Sequence, residues 1–128
     1  MKFYAFGHEN IRATHRTVIE ITKDENITEK GDCIIGVKAT HAILDFKEEL
    51  QRFKGKGIEV YLRISDMREE VIGYVHPELT FEDERCLILR TSSFLCPKTL
   101  MINSNKAAFE RLKNSRELIE IEILPLKR

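Results

Sequence analysis

The segment IEVYLRI, residues 58–64, indicates the fold class of this chain because apolar and polar side chains alternate along its whole length. Successive side chains of a β-strand point to opposite faces of a sheet. The four aliphatic side chains therefore share one face, whereas Glu59, Tyr61 and Arg63 share the other. LIEIEIL, residues 118–124, alternates in the same way. Both segments are predicted to be strands with one buried face.

Six further segments are predicted to be strands, because they are short, apolar and rich in β-branched or aromatic residues. Together with the two alternating segments they predict a mainly β chain of about eight strands. The six are FYAFG (3–7), TVIEIT (17–22), CIIGV (33–37), EVIGYV (70–75), CLILRT (86–91) and TLMIN (99–103).

Two segments have helical rather than strand spacing. Within residues 42–54, apolar side chains recur at intervals of three and four, which places them on one face of a helix. Thr40 is a suitable N-cap for this helix, and Gly55 is suitable for its C-terminal end. A shorter apolar pattern predicts a second helix over residues 106–113.

The order strand, strand, strand, helix, strand occurs twice along the chain, which suggests an internal duplication. His8 in the first half matches His76 in the second at an offset of 68 positions (76 − 8 = 68). The segments before the two predicted helices match at an offset of 65 (102 − 37 = 65), so a three-residue deletion reconciles the halves. A single domain is therefore predicted over residues 1–128, with pseudo-repeats at about 1–66 and 67–128.

Two copies of a β-β-β-α-β unit in one domain are expected to bury their apolar faces against each other. The prediction is α+β in content but mainly β in architecture, a β-sandwich or a barrel with two covering helices. Because the alternation of side chains is the same in both, the sequence leaves the sandwich and the barrel as alternatives.

Composition restricts the classes of function. The chain has 21 basic and 21 acidic residues, which argues against a general electrostatic attraction to nucleic acid or to an anionic membrane. Its three cysteines have neither the spacing of a zinc motif nor the even number of a disulfide framework. No apolar run approaches the roughly 18 residues of a membrane span, and the polar N-terminus does not resemble a signal peptide. We therefore expect a cytoplasmic protein.

Histidines are the most specific chemical signal in the sequence, because a neutral imidazole is a common metal ligand. His8 and His76 occupy matching positions of the two halves, and His15 follows His8 in the same segment. Two histidines and a carboxylate could hold a metal ion and activate water. No metal or cofactor is assigned to these positions. The candidate ligand-binding residues are His8, Glu9, Asn10, His15, Asp32, His76 and Asp83.

A structural role in turns is the alternative for these residues. Pro77 suits the first central position of a β-turn, so the ring of His76 before it is placed to bond to local backbone. The stretch after His8 is equally prone to turn because it contains an asparagine. His15 and its counterpart Asp83 precede predicted strands, where they either line the mouth of a pocket or are solvated.

Five linked segments carry a family resemblance: FYAFGHENIRATHRT (3–17), ITKDENIT (21–28), KGDCIIGVKA (30–39), GYVHPELT (73–80) and CPKTLMINSNKAA (96–108). In this order they resemble an archaeal family known only as domain of unknown function 371, over nearly the whole chain. The resemblance implies a jelly-roll-like, mainly β domain of the archaeal cytoplasm, with no established activity, substrate or catalytic residue. It also implies an amide where Lys38 stands and a second histidine where Asp83 stands.

Three classes of function are compatible with the sequence. Duplication, small size and the lack of a catalytic motif favour a non-catalytic binding or regulatory module for a small molecule, a protein or RNA. A small metal-assisted or acid–base enzyme would use His8, His15, His76 and nearby carboxylates. RNA binding would need a basic face, for which the candidates are Lys23, Lys30, Lys38 and Lys98.

Overall fold

The structure, a computed structural model, describes residues 1–28, 30–109 and 116–126. The strands of these residues form two four-stranded sheets. The strands are β1 (Lys2–Phe6), β2 (Val18–Thr22), β3 (Ile34–Gly36), β4 (Lys56–Ile64), β5 (Met67–Val75), β6 (Cys86–Arg90), β7 (Thr99–Met101) and β8 (Leu118–Pro125). The first sheet has the order β1-β8-β4-β5, and the second has the order β3-β2-β6-β7.

The two alternating segments form the centre of the first sheet. β4 pairs antiparallel with β8, so that Val60 lies opposite Ile123 and Leu62 lies opposite Ile121. The aliphatic side chains on this face are buried, as the alternation predicts. Every segment predicted to be a strand overlaps an observed strand, and the mainly β prediction is confirmed.

Buried residues of both sheets belong to one apolar cluster. Ile21 of β2 and Ile119 of β8 both approach Gly36 of β3, and their nearest side-chain carbons lie 3.9 Å and 3.5 Å from where its Cβ would be. Burying one such side chain contributes about 1.5–3 kcal/mol relative to leaving it exposed. Apolar contact between the two sheets therefore stabilises this fold.

The predicted helix of residues 42–54 is present but is shorter than a regular α-helix. The α-helical turn α1 (Lys47–Leu50) lies between two 3-10 turns, Ile43–Phe46 and Gln51–Phe53. The apolar residues that predicted this helix are buried in the core. No helix of the described residues is long and apolar enough to cross a membrane.

The start of this helical segment differs from the prediction. Thr40 is not the N-cap, because its hydroxyl accepts a hydrogen bond from the Tyr4 N–H at 3.1 Å and its own N–H donates to the Tyr4 carbonyl at 2.8 Å. The N-cap is Ala42, whose N–H donates to the Asp45 carboxylate at 2.8 Å. This hydrogen bond lowers the pKa of Asp45.

The prediction of a helix over residues 106–113 is wrong for its first part. Residues 106–109 are irregular. Ala108 has a φ of 69°, which interrupts a right-handed helix, and the Phe109 N–H donates to the Ala13 carbonyl at 2.8 Å. The rest of the predicted helix, residues 110–113, lies outside the described residues.

Two corner bridges join the edges of the sheets. At the first corner, Phe6 of β1 and Val37, which follows β3, exchange two backbone hydrogen bonds of 2.8 Å. At the second corner, Tyr74 of β5 and Ile102, which follows β7, exchange hydrogen bonds of 3.0 and 2.9 Å. Each corner bridge thus consists of one residue pair.

The barrel alternative is wrong, because in the described chain the two sheets are linked only by these single pairs. The next residues, Lys38 and Asn103, have φ values of 53° and 52°, and a left-handed residue turns the chain away from the neighbouring strand. The expected jelly roll also differs from this topology. Jelly rolls are antiparallel, whereas β3 runs parallel to β2 and β7 runs parallel to β6.

The topology is symmetric between the two halves of the chain. Exchanging β1–β4 with β5–β8, in order, leaves the strand order of both sheets unchanged. An axis relating the halves would pass between β4 and β8 in the first sheet and between β2 and β6 in the second. The two corners lie far from that axis, on opposite edges of the sheets.

Each corner contains one glycine where the strands approach closely. A Cβ on Gly36 of β3 would lie 2.9 Å from the Ala5 Cβ of β1. A Cβ on Gly73 of β5 would collide with the Met101 sulfur of β7 and lie 3.0 Å from the Ile102 carbonyl oxygen. Because these backbones are too close for two facing side chains, one residue of each facing pair is glycine.

The substitution Gly36→Ala is expected to lower the free energy of unfolding by about 1–3 kcal/mol, because the added methyl meets the Ala5 Cβ. Ala5→Gly in the same chain removes the opposing methyl and should recover most of that loss. Urea denaturation of the single and double variants measures both effects. Additive losses in the double variant would contradict the proposed contact.

Candidate functional site

His8 and His76 are turn residues whose rings bond to local backbone. The Nδ1 atom of His8 accepts a hydrogen bond from the Asn10 N–H at 3.0 Å, and Nδ1 of His76 accepts one from the Glu78 N–H at 3.0 Å. This confirms the predicted turn interpretation. A neutral imidazole that accepts at Nδ1 carries its proton on Nε2, so Nε2 remains available as a donor.

His15 and Asp83 cap the backbone at the starts of β2 and β6. Nδ1 of His15 accepts from the N–H groups of Thr17 and Val18, at 3.2 and 3.0 Å. The Asp83 carboxylate accepts from the second and third N–H groups after it, at 2.8 and 2.7 Å. Aspartate and histidine both place a hydrogen-bond acceptor just before the strand. An aspartate at position 83 can therefore replace the histidine that the family resemblance implies there.

His15 and Asp83 do not converge on one site. β2 and β6 are antiparallel, with Val18 opposite Arg90 and Thr22 opposite Cys86, so His15 and Asp83 precede opposite ends of this pair. Four residue steps at about 3.3 Å already separate those ends by about 13 Å. No three or more His, Cys, Asp or Glu side chains among the described residues form a group that could hold a metal ion. The described residues therefore do not bring His15 and Asp83 together in a composite metal site.

A cavity of about 420 Å³ opens at the first corner, and it contains two of the candidate residues, His8 and Glu9. We call it the corner cavity. It is lined by the end of β1 and the following turn, by the loop after β2, by the two residues after β3 and by Arg116, two residues before β8. Its lining residues are Phe6, Gly7, His8, Glu9, Glu25, Asn26, Val37, Lys38 and Arg116.

Backbone hydrogen bonds hold the distant segments around the corner cavity. The Gly7 N–H donates to the Glu117 carbonyl at 2.9 Å, which extends the pairing of β1 with β8 and places Arg116 at the cavity. The Lys38 N–H donates to the Asp24 carbonyl at 2.9 Å. Glu25 follows Asp24 in the chain and is thereby placed at the same cavity. The site thus depends on segments from both halves of the sequence.

The charged groups of the corner cavity are only partly paired. Arg116 and Glu9 form an ion pair of 2.6 Å. The Lys38 ammonium and the Glu25 carboxylate have no hydrogen-bond or ion-pair partner among the described residues. The cavity therefore presents one positive and one negative charge that the described protein atoms leave unneutralised.

Comparison with known proteins identifies the family. A family model described as "Domain of unknown function (DUF371)" matches residues 3–121. The chain belongs to the DUF371 family. It is also 38% identical, over 124 residues, to the uncharacterized protein MJ0206 of Methanocaldococcus jannaschii, an alignment that covers 90% of this chain and 92% of that protein. The family resemblance of the sequence is thereby confirmed.

The other candidate residues of this DUF371 protein lie outside the lining of the corner cavity. The Asn10 side-chain amide donates to the Ile27 carbonyl at 2.8 Å and so ties the first turn to the loop after β2. The Asp32 carbonyl accepts from the His15 N–H at 3.3 Å. His76 belongs to the second corner. The hydrogen bonds of Asn10 and Asp32 therefore hold neighbouring segments together.

Four residues of the cavity lining carry no sequence signal that marks them as site residues: Phe6, Glu25, Asn26 and Arg116. Arg116 is more than 100 positions from its ion-pair partner, and no periodicity connects them. Lys38 does carry a signal, since it stands where the family resemblance implies an amide. An asparagine tolerates a left-handed φ better than a lysine, which explains the amide.

The outer face of the second sheet contains a second group of titratable side chains. Burial raises the pKa of Glu20, although nearby Lys98 and the Cys86 thiol, 3.8 Å away, oppose the shift. Burial also raises the pKa of Cys33 to about 11. Burial also acts to raise the pKa of Cys96. Hydrogen bonds with the Thr99 hydroxyl and the Arg90 guanidinium oppose burial, and the pKa of Cys96 is lowered overall.

The substitution His15→Ala is expected to destabilise the protein by about 1 kcal/mol, because two backbone N–H groups lose their acceptor. His15→Asp should retain most of the stability, since the same role is filled by aspartate at position 83. Thermal or urea unfolding of the two variants measures the difference. Equal losses in both variants would show that the cap is unimportant and that the histidine ring matters for another reason.

Glu20→Gln is expected to stabilise the protein at pH 7 and to have little effect near pH 3. The raised pKa of Glu20 means that its charged form is disfavoured in the folded state, so stability falls as the pH rises through its titration. Asp45→Asn is the opposite control. Its lowered pKa means that the carboxylate adds stability at neutral pH, which is lost as the pH falls through the folded pKa. Unfolding curves from pH 3 to pH 7 test both signs.

Proposed function

We propose that this protein is a non-catalytic cytoplasmic module that binds a small ligand through an anionic group in the corner cavity. The observation that carries the proposal is the conformation of Lys38. This lysine has a left-handed φ of 53° at the cavity, and its ammonium has no partner among the described residues.

A lysine in this conformation is costly. A left-handed φ in a non-glycine residue costs on the order of 1 kcal/mol, and asparagine reduces that cost. The matching position at the second corner is Asn103, with a φ of 52°. A charge that is kept despite local strain, and in a cavity, supports a role in binding rather than in stability.

Other cavity groups suit a small anionic ligand. The Nε2–H of His8 is a donor, because Nδ1 already accepts a backbone hydrogen bond. Phe6 is 39% exposed and offers an apolar surface. The volume of about 420 Å³ is near the lower end of the range of roughly 300–1,000 Å³ that is usual for small-molecule sites.

The free thiols support the cytoplasmic part of the proposal. Cys33, Cys86 and Cys96 form no disulfide. Unpaired cysteines are typical of proteins that work in a reducing compartment.

The two alternative functions receive less support from the geometry. An enzyme that combines His8, His15 and His76 would need them in one place, whereas His8 and His76 follow β1 and β5, which are opposite edges of the first sheet. For RNA binding, Lys23 is paired with Asp45 at 3.5 Å and Lys98 lies near Glu20. A basic face built on those lysines is thus partly neutralised.

We also propose that the two sheets form a β-sandwich that arose by duplication, with units at about residues 1–66 and 67–128. The symmetric strand order supports this origin, as do the glycine contacts at both corners. The matching hydrogen bonds of His8 and His76 support it further. The helix of the unit is described in the first half alone.

The substitution Lys38→Asn tests the binding proposal, because it should separate binding from stability. We expect it to raise the free energy of unfolding by roughly 0.5–1 kcal/mol, since asparagine suits the left-handed φ. Binding of small anions at the corner cavity should weaken at least tenfold. The probes are inorganic phosphate, acetate and the common free amino acids, followed by amide chemical shifts in nuclear magnetic resonance titrations.

Lys30→Asn is the matched control, since Lys30 is exposed and lies outside the cavity lining. It should leave binding unchanged. If no probe produces saturable shifts at the cavity, or if Lys38→Asn leaves them intact, the proposed function is wrong. Loss of stability in Lys38→Asn would instead indicate a structural role for the lysine.

A further inference from the structure

The corner cavity contains two charges of opposite sign, Lys38 and Glu25, that have no partner among the described residues, and this pattern restricts the chemical class of the ligand. Arg116 and Glu9 neutralise each other at 2.6 Å. A ligand that is only an anion would bind Lys38 and would also meet the Glu25 carboxylate. Like charges brought together in a partly enclosed site oppose binding.

We propose that the corner cavity binds a zwitterion of the free amino acid class, an inference that rests on the proposed function. The ligand carboxylate would bind the Lys38 ammonium and the Nε2–H of His8. The ligand ammonium would bind the Glu25 carboxylate. Phe6 supplies an apolar surface for the ligand side chain. Each charged group of the ligand then meets a charge that the described protein atoms leave unpaired.

The second corner differs from this charge pattern, so the described residues form one corner site of this kind. Asn103 stands where Lys38 stands at the first corner, and Pro77 matches Glu9 at the offset of 68 (77 − 9 = 68). Pro77 also packs near Gly55, with its ring 3.9 Å from where a glycine Cβ would be. A stoichiometry of one ligand per chain follows from this asymmetry.

The test compares an amino acid with derivatives that each lack one charge. The common free amino acids are first screened by isothermal titration calorimetry, and the tightest binder is then compared with its N-acetyl and its amide derivatives. The N-acetyl compound lacks the ammonium, and the amide lacks the carboxylate. We expect one site per chain and at least tenfold weaker binding of each derivative.

Two cavity variants assign the charges. Glu25→Gln should weaken binding of the free amino acid at least tenfold but should strengthen binding of the N-acetyl derivative, because that compound has no ammonium and is no longer repelled by the carboxylate. Lys38→Asn should weaken both. Glu49→Gln, at an exposed carboxylate outside the cavity lining, is the control and should change neither. Circular dichroism confirms that each variant is folded.

The outcomes separate the two proposals. If the N-acetyl derivative or phosphate binds as tightly as any free amino acid and this binding needs Lys38, the anion site stands and the zwitterion inference is overturned. Equal effects of Glu25→Gln on both compounds also overturn it. If no compound binds in a manner that depends on Lys38, both proposals are wrong.

Discussion

The corner bridges are the constraint on which the rest of this structure depends. At each corner one residue pair exchanges two backbone hydrogen bonds, and the following residue turns away in a left-handed conformation. The bridge brings the sheet edges so close that a glycine is needed on one side. The left-handed residue ends the backbone pairing between the edge strands of the two sheets. At the first corner that residue is Lys38, which lines the cavity.

The symmetric topology explains why matching histidines do not meet. Residues related by an exchange of the two halves lie close together only near the axis between β4 and β8 and between β2 and β6. His8 and His76 follow the edge strands β1 and β5, which lie farthest from that axis. The symmetric topology therefore forms two separate corners rather than one composite site, and the two corners carry different side chains.

Lys38 and Glu20 each conflict with a local physical rule. Lys38 has a backbone conformation that favours asparagine, and Glu20 has a carboxylate whose pKa is raised by burial. Such conflicts are expected at sites where function limits stability. Only Lys38 lies in a cavity with further polar groups, which is why the binding proposal is placed at the first corner.

Local sequence by itself determined the strands, the apolar faces and the turn role of His8 and His76, because each depends on period-two alternation or on neighbouring turn residues. The course of residues 106–109 and the left-handed φ of Lys38 were not predictable, since they depend on hydrogen bonds to Ala13 and Asp24 far away in the sequence. The corner cavity was decided by tertiary structure alone. Its charges come from segments that meet only when β8 pairs with β1 and the two sheets bridge at their edges.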